Sequence, residues 1–240
     1  MPVQTAALID AASRPYRAAG RFALHFARAK LRHDPVFFAV LRSGRIPDRA
    51  RLLDLGCGQA VLSALLLAAR DCFDAGNWNF PWPAPPAQLQ LHGIEAEPRA
   101  AQRARKALGQ RVTIESVDLR AATLPQADVV VLIDVLHYLH ADDQVSLLLR
   151  VAQALRGGGL LVMRVADATA GWRFRLSGAG DHLGALLTGR GLPQHHHRSI
   201  GQWLDLLASL GFDARLDIGV PKQSFANVLI WAKAPGTGKA

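Results

Sequence analysis

Leu52-Leu53-Asp54-Leu55-Gly56-Cys57-Gly58-Gln59-Ala60 sets a short apolar run directly before two closely spaced glycines, and Val61 to Arg70 follows with helical apolar spacing. A buried strand, a tight glycine turn and a helix account for that order. The first glycine permits the turn, and the second lets the backbone come close to a ligand. Outward from this unit the chain alternates in the same way. Strands are expected over Leu89 to Ile94, Val112 to Ser116, Asp128 to Ile133 and Leu160 to Val165. Helices are expected over Pro98 to Leu108 and Asp142 to Leu155, and Gly157-Gly158-Gly159 supplies a turn before the strand at Leu160. Alternation of this kind implies parallel strands joined by helical crossovers.

Near the C-terminus, Ser199-Ile200-Gly201-Gln202 has the form of a capping box. Leu204, Leu206, Leu207 and Leu210 give that helix an apolar face, and Gly211 ends it. Two further strands, about Ala214 to Ile218 and Ala226 to Ala232, complete the set. The expected fold is α/β: a Rossmann-like, doubly wound, mixed seven-stranded sheet with an N-terminal helical extension. The extension occupies residues 1–49, the sheet domain 50–234 and a short tail 235–240. Insertions are expected at about 71–88, rich in Trp and Pro around Trp78 and Trp82, and at 166–198, which holds a His195-His196-His197 run.

Charge and composition narrow the function classes. Half of the 240 residues are hydrophobic and a fifth are charged, which suits a globular protein rather than a disordered or fibrous one. Cys57 and Cys72 make no disulfide framework and fit a cytoplasmic location. No stretch reaches the roughly 18 uncharged apolar residues of a membrane span, and Asp10, Arg14 and Arg17 interrupt any signal-peptide core. The net charge is +9, and residues 1–50 carry nine Arg and Lys against three Asp. Pro15 is read as a helix start, after which Arg17, Arg21, Arg28 and Arg32 share one helical face and Phe22, Phe26 and Ala29 another. Asp34-Pro35 opens a short helix over Val36 to Arg42. A basic leader points to an acidic partner.

The glycine turn also discriminates between cofactors. A dinucleotide fingerprint would need a third glycine at position 61, where Val61 stands. Asp54, directly before the turn, repels a pyrophosphate but can receive the cationic amino group of an amino-acid-like cofactor. That sign of charge favours S-adenosylmethionine. Glu95, at the end of the second strand in His92-Gly93-Ile94-Glu95-Ala96-Glu97-Pro98, can accept both hydroxyls of a ribose. Asp118, in Val117-Asp118-Leu119 after the third strand, can accept an adenine amino group.

The ordered stretches LLDLGCGQA, HGIEAEP, ESVDLR, ADVVVLIDVLHYL and LRGGGLLVMR, over about residues 50–165, resemble the motifs of class I S-adenosylmethionine-dependent methyltransferases. Arg198 to Phe212 resembles the last helix of that family. The resemblance implies S-adenosylmethionine as cofactor, held by Asp54, Gly56, Cys57, Gly58, Glu95, Ala96, Asp118, Leu119, Asp134 and Val135. Asp134 and Val135 match the stretch that flanks the sulfonium. His137, three residues on, is the candidate general base, with Tyr138 beside it. No metal site is expected, since three adjacent imidazoles splay away from one ion.

Two departures from the family pattern stand out. Ala60 replaces its third glycine, and Asp54 and Glu95 lie 41 residues apart where a simple β-α-β unit has about 20. The excess belongs to the Trp78/Trp82 loop. The leader, through Pro15-Tyr16-Arg17 and Asp34-Pro35-Val36-Phe37, resembles methyltransferases associated with aryl-polyene pigment pathways, which implies a phenolic or aryl-acyl acceptor. The expected partner is a small-molecule acceptor, or one borne on an acidic acyl carrier protein. Nucleic-acid methylation is the competing class, but Ile133-Asp134-Val135-Leu136 lacks the Asn-Pro-Pro-aromatic signature of base-amino methyltransferases. A non-catalytic scaffold would have no need of Asp54, Glu95 and Asp118 together. Oligomeric state has no sequence signal.

Overall fold

A computed structural model describes residues 3–166, 198–217 and 227–236. The chain divides into two compact units, Met1–Thr123 and Leu124–Ala240.

In the first unit, three parallel strands are ordered β3-β2-β1: β1 Arg51–Leu55, β2 Gln90–Ile94 and β3 Val112–Glu115. Every β1 residue after Arg51 is buried, as expected of a strand covered on both faces. The helix after the glycine turn, Val61–Asp74, extends four residues beyond the expected end at Arg70. Arg70 pairs with Asp74 one turn later, which supports the extra turn. Glu97 caps the next helix, Pro98–Leu108, by accepting from the Arg99 amide at 3.2 Å.

The leader departs from the single basic helix anticipated from Pro15. A first helix, α1, covers Val3–Ser13, and Arg14–Ala19 then forms a 3-10 turn with Pro15 in its first positions. Gly20, at φ 101°, breaks the path, and α2 runs over Arg21–His33. Arg17 therefore belongs to a different element from Arg21, Arg28 and Arg32. The face that α2 buries is Ala23, Ala27 and Leu31, while Phe22 and Ala29 are exposed. α3, Val36–Arg42, ends before Gly44 as anticipated. With these labels, the helix after β1 is α4 and that after β2 is α5. α1 packs on α4, and the 3-10 turn packs on α5.

The loop after α4 folds back onto the leader. The Arg49 amide donates to Ala87 at 2.8 Å, and Asp48 accepts from the Ala87 amide at 2.7 Å. Trp78, Phe80 and Trp82 form one aromatic cluster with centroid separations of 4.3 to 6.1 Å. Arg42 lies over Trp82 at 4.5 Å, and Phe38 meets Trp82 edge-on at 6.0 Å.

The second unit contains β4 Ala127–Ile133, α6 Ala141–Ala154, β5 Leu155–Ala166, α7 Ile200–Ser209, β6 Asp213–Leu216 and β7 Asn227–Lys233. β5 is parallel to β4 and antiparallel to β7, which pairs with β6. The strands together follow the order β3-β2-β1-β4-β5-β7-β6, the mixed seven-stranded sheet expected. The glycine run is not a turn ahead of the strand. β5 begins at Leu155 opposite Ala127, and the register jumps to Leu160 opposite Val129, so Arg156 to Gly159 bulge out within the strand. Gly158, at φ 79°, supplies the left-handed residue this requires. Ser199 and Gln202 make the capping box of α7 in full. The His195-His196-His197 run, nearly all of the insertion expected at 166–198, and the expected strand ends at Ile218 and Ala226 lie outside the described residues.

Candidate active site

β1 delivers Asp54 to the start of the glycine turn, where the side chain is buried. Burial pushes its carboxyl up to about 7, and the neighbouring charge of Glu95 adds to the shift. A buried acid that ionises with difficulty is suited to a cation placed beside it.

Gly56, Gly58 and Ala60 all have positive φ, of 72°, 59° and 56°. The Gly56 and Cys57 amides both donate to the Ile94 carbonyl, at 2.8 and 3.1 Å, which fastens the turn to the end of β2. A Cβ at Gly58 would meet nothing within 4 Å, so this position opens onto free space. Ala60, fully buried, holds the left-handed conformation that glycine would adopt without strain.

Cys57 is explained by packing. A Cβ on Gly93 would lie 2.6 Å from Cys57 Sγ, so the glycine in β2 leaves the room that the thiol fills. Burial, with Asp54 and Glu95 nearby, pushes that thiol well above its ordinary range, which makes it a poor nucleophile.

Glu95 holds the loop as well as facing it. Its Oε2 accepts from the Gly58 amide and its Oε1 from the Glu97 amide, both at 2.7 Å. Ala96 is exposed on the bend that follows. Asp118 accepts from the Arg120 amide, Nε and Nη2 at 2.6 to 3.0 Å, and those bonds hold its carboxyl well below the usual range. Leu119, beside it, is buried.

Tyr16 is a residue of this region that sequence reasoning did not single out. Fully buried, it donates from its hydroxyl to the Gln59 carbonyl at 2.6 Å, across 43 residues of chain. The buried Gln59 Oε1 and Ser63 Oγ atoms have no hydrogen-bond partner among the described residues.

In the second unit, Asp134 follows β4 at φ 57° and is held by Arg164, whose Nε donates to Oδ1 at 2.7 Å. Arg164 was not anticipated, although one arginine among Leu160, Leu161, Val162, Met163 and Val165 is a signal that a buried strand must pair a charge. Val135 leads into a 3-10 turn, Leu136–Tyr138, that carries the half-buried His137 and the exposed Tyr138, with ring centroids 4.1 Å apart. Gln144, buried on α6, donates from Nε2 to the carbonyls of Leu136 and Leu139 at 3.0 and 3.1 Å. Its Oε1 accepts from Arg198 at 2.8 Å, so α6 fixes the turn that presents His137.

Residues 53–161 match a family model described as a methyltransferase domain. A carboxy-S-adenosyl-L-methionine synthase of Chromohalobacter salexigens is 30% identical over 119 residues, which is 48% of this chain and 39% of that protein. The chain thus matches about two fifths of the length of this curated relative. Among solved structures, an O-methyltransferase family protein from Burkholderia thailandensis is 19% identical with a TM-score of 0.61, covering 92% of this chain and 62% of that one. Magnesium protoporphyrin IX methyltransferase from Synechocystis PCC 6803, with bound SAH, is 18% identical with a TM-score of 0.56, covering 92% and 91%. Human N-acetylserotonin methyltransferase in complex with SAM is 18% identical with a TM-score of 0.58, covering 88% and 54%. Residues 53–161 of this chain are thus similar to a methyltransferase domain, and the solved structures share its fold.

Proposed function

We propose that this chain transfers a methyl group from S-adenosylmethionine to a small-molecule acceptor, phenolic or aryl-acyl in character and free or borne on an acidic carrier protein. The observation that carries the cofactor reading is the buried Asp54 beside a turn whose Gly58 faces open space. S-adenosylmethionine supplies an electrophilic methyl on a sulfonium. The protein's task is to bind, align and exclude water.

Asp54 receives the amino group of the cofactor, and ionises as it does so. The Gly56-Cys57-Gly58 backbone admits the methionine portion at close range. Glu95 takes the ribose hydroxyls on lone pairs left over from its two amide contacts, with Ala96 beside it. Asp118 and Leu119 face the adenine, which requires the Asp118 carboxylate to share or release Arg120. Asp134 and Val135 are assigned to the sulfonium end on motif order. His137, flanked by Tyr138, takes the proton that an acceptor hydroxyl must lose when its oxygen bonds to the methyl and the sulfonium becomes a thioether.

Two solved relatives are named for small acceptors, N-acetylserotonin and magnesium protoporphyrin IX, which supports the small-molecule class. The exposed basic residues Arg17 and Arg21 support an acidic partner. Product mass spectrometry against phenols, acyl carriers and RNA tests the acceptor. Methylated RNA alone would replace this reading with the nucleic-acid one.

A further inference from the structure

We infer that Tyr16 is a positioning residue for the cofactor turn, so that the N-terminal leader takes part in binding the cofactor rather than only covering the sheet. The inference rests on the proposed S-adenosylmethionine site.

A tyrosine buried this completely must find a partner for its hydroxyl, since a donor left without one forfeits the hydration it had in the unfolded chain. Its partner is not in the leader. The hydroxyl reaches the Gln59 carbonyl at 2.6 Å, in the centre of the turn between Gly58 and Ala60. Burial, together with Cys57 and Asp54 close by, pushes the hydroxyl far above its usual range, so it stays a donor at every working pH.

The turn needs such a tie. Its last residue, Ala60, sits in the left-handed region without being glycine, a conformation that persists only where surrounding contacts enforce it. Glu95 grips the turn at the Gly58 amide, and Tyr16 grips it at the carbonyl of the following residue, Gln59. The leader is shaped to bring Tyr16 there. Pro15 starts the 3-10 turn, Gly20 ends it at φ 101° with its amide bonded to Arg17 at 3.2 Å, and the turn lies against α5.

The test uses the full chain and S-adenosylhomocysteine as the probe, with calorimetry well below the melting temperature. Tyr16→Phe keeps the ring and removes only the hydroxyl, and its dissociation constant should rise about tenfold. Leu8→Ala, in the buried face of α1, should lower the melting temperature without changing that constant. Equal affinity in Tyr16→Phe and wild type overturns the inference, and so does a loss of affinity in Leu8→Ala that matches its loss of stability. If Tyr16→Phe does not fold, hydrogen exchange on the wild type decides. The probe should slow exchange in residues 14–20 as well as in the turn, and protection of the turn alone contradicts the tie. A wild type that does not bind the probe refutes the cofactor reading itself.

Discussion

The Oε2 atom of Glu95 accepts a hydrogen bond from the Gly58 amide at 2.7 Å, while Oε1 accepts from the Glu97 amide at the same distance. One side chain thus joins the end of β2 to the glycine turn and to the start of α5.

Glu95→Gln should therefore weaken both cofactor binding and the fold around the turn. An amide has one oxygen, so its NH2 group must face one of the two donors. Loss of a charge-assisted bond corresponds to about 1.5–3 kcal/mol, or roughly a ten- to hundredfold weaker S-adenosylhomocysteine affinity, and urea unfolding should show a stability loss of similar direction. Wild-type affinity and stability together would mean that neither bond matters.

Gly93→Ala should destabilise through Cys57. The new methyl would lie 2.6 Å from Sγ and 2.9 Å from Ile114 Cδ1, and overpacking of this kind costs about 1–3 kcal/mol. Removing the sulfur in Gly93→Ala/Cys57→Ala should recover part of that loss. Additive losses in the two single variants would show that the sulfur is not the obstacle.

Asp54 should give the protein a distinctive pH profile. Its folded value of about 7 lies above an unfolded value of about 3.9. The stability tied to its protonated form is complete below pH about 4, declines as pH rises, and is gone above about 7. Asp54→Asn should flatten that decline and be more stable than wild type at pH 8. Because a bound cationic amino group favours the carboxylate, S-adenosylhomocysteine binding at pH 6 should release a proton. Calorimetry in two buffers of different ionisation enthalpy measures it, and zero release contradicts the assignment.

Reversing Arg17 and Arg21 together should lower kcat/KM for a carrier-borne acceptor roughly tenfold at low salt, with the difference shrinking near 0.15 M. Both are exposed, whereas Arg28 is already held by Asp10 at 2.9 Å and is the wrong choice. Cofactor affinity should stay unchanged. Wild-type turnover of that acceptor at low salt would remove the basic leader from recruitment.

Most of the sheet domain was legible because its signals are local. Apolar runs, Glu97-Pro98 and the Ser199/Gln202 box mark element ends within a few residues, and the structure places those ends close to where they were expected. The leader was harder to read. Gly20 divides what periodicity alone joins into one basic face, and the cost of bending the chain there leaves no trace in the spacing of arginines. Tyr16 was legible only as an aromatic residue in a basic segment, since its partner is 43 residues away. Asp118 and Asp134 were visible as acids at strand ends, but not Arg120 and Arg164, which hold their carboxylates.

The proposed occupant of the Asp54–Glu95 turn is an amino-acid-bearing adenosyl cofactor and not a dinucleotide. A thermal unfolding series with S-adenosylhomocysteine and with NAD tests it most directly, because a ligand that binds only the folded chain must raise the melting temperature by an amount set by its concentration over its dissociation constant. Binding at that turn should give a dose-dependent rise with S-adenosylhomocysteine, reduced in Glu95→Gln, and no shift with NAD. A rise with NAD and none with S-adenosylhomocysteine would contradict it.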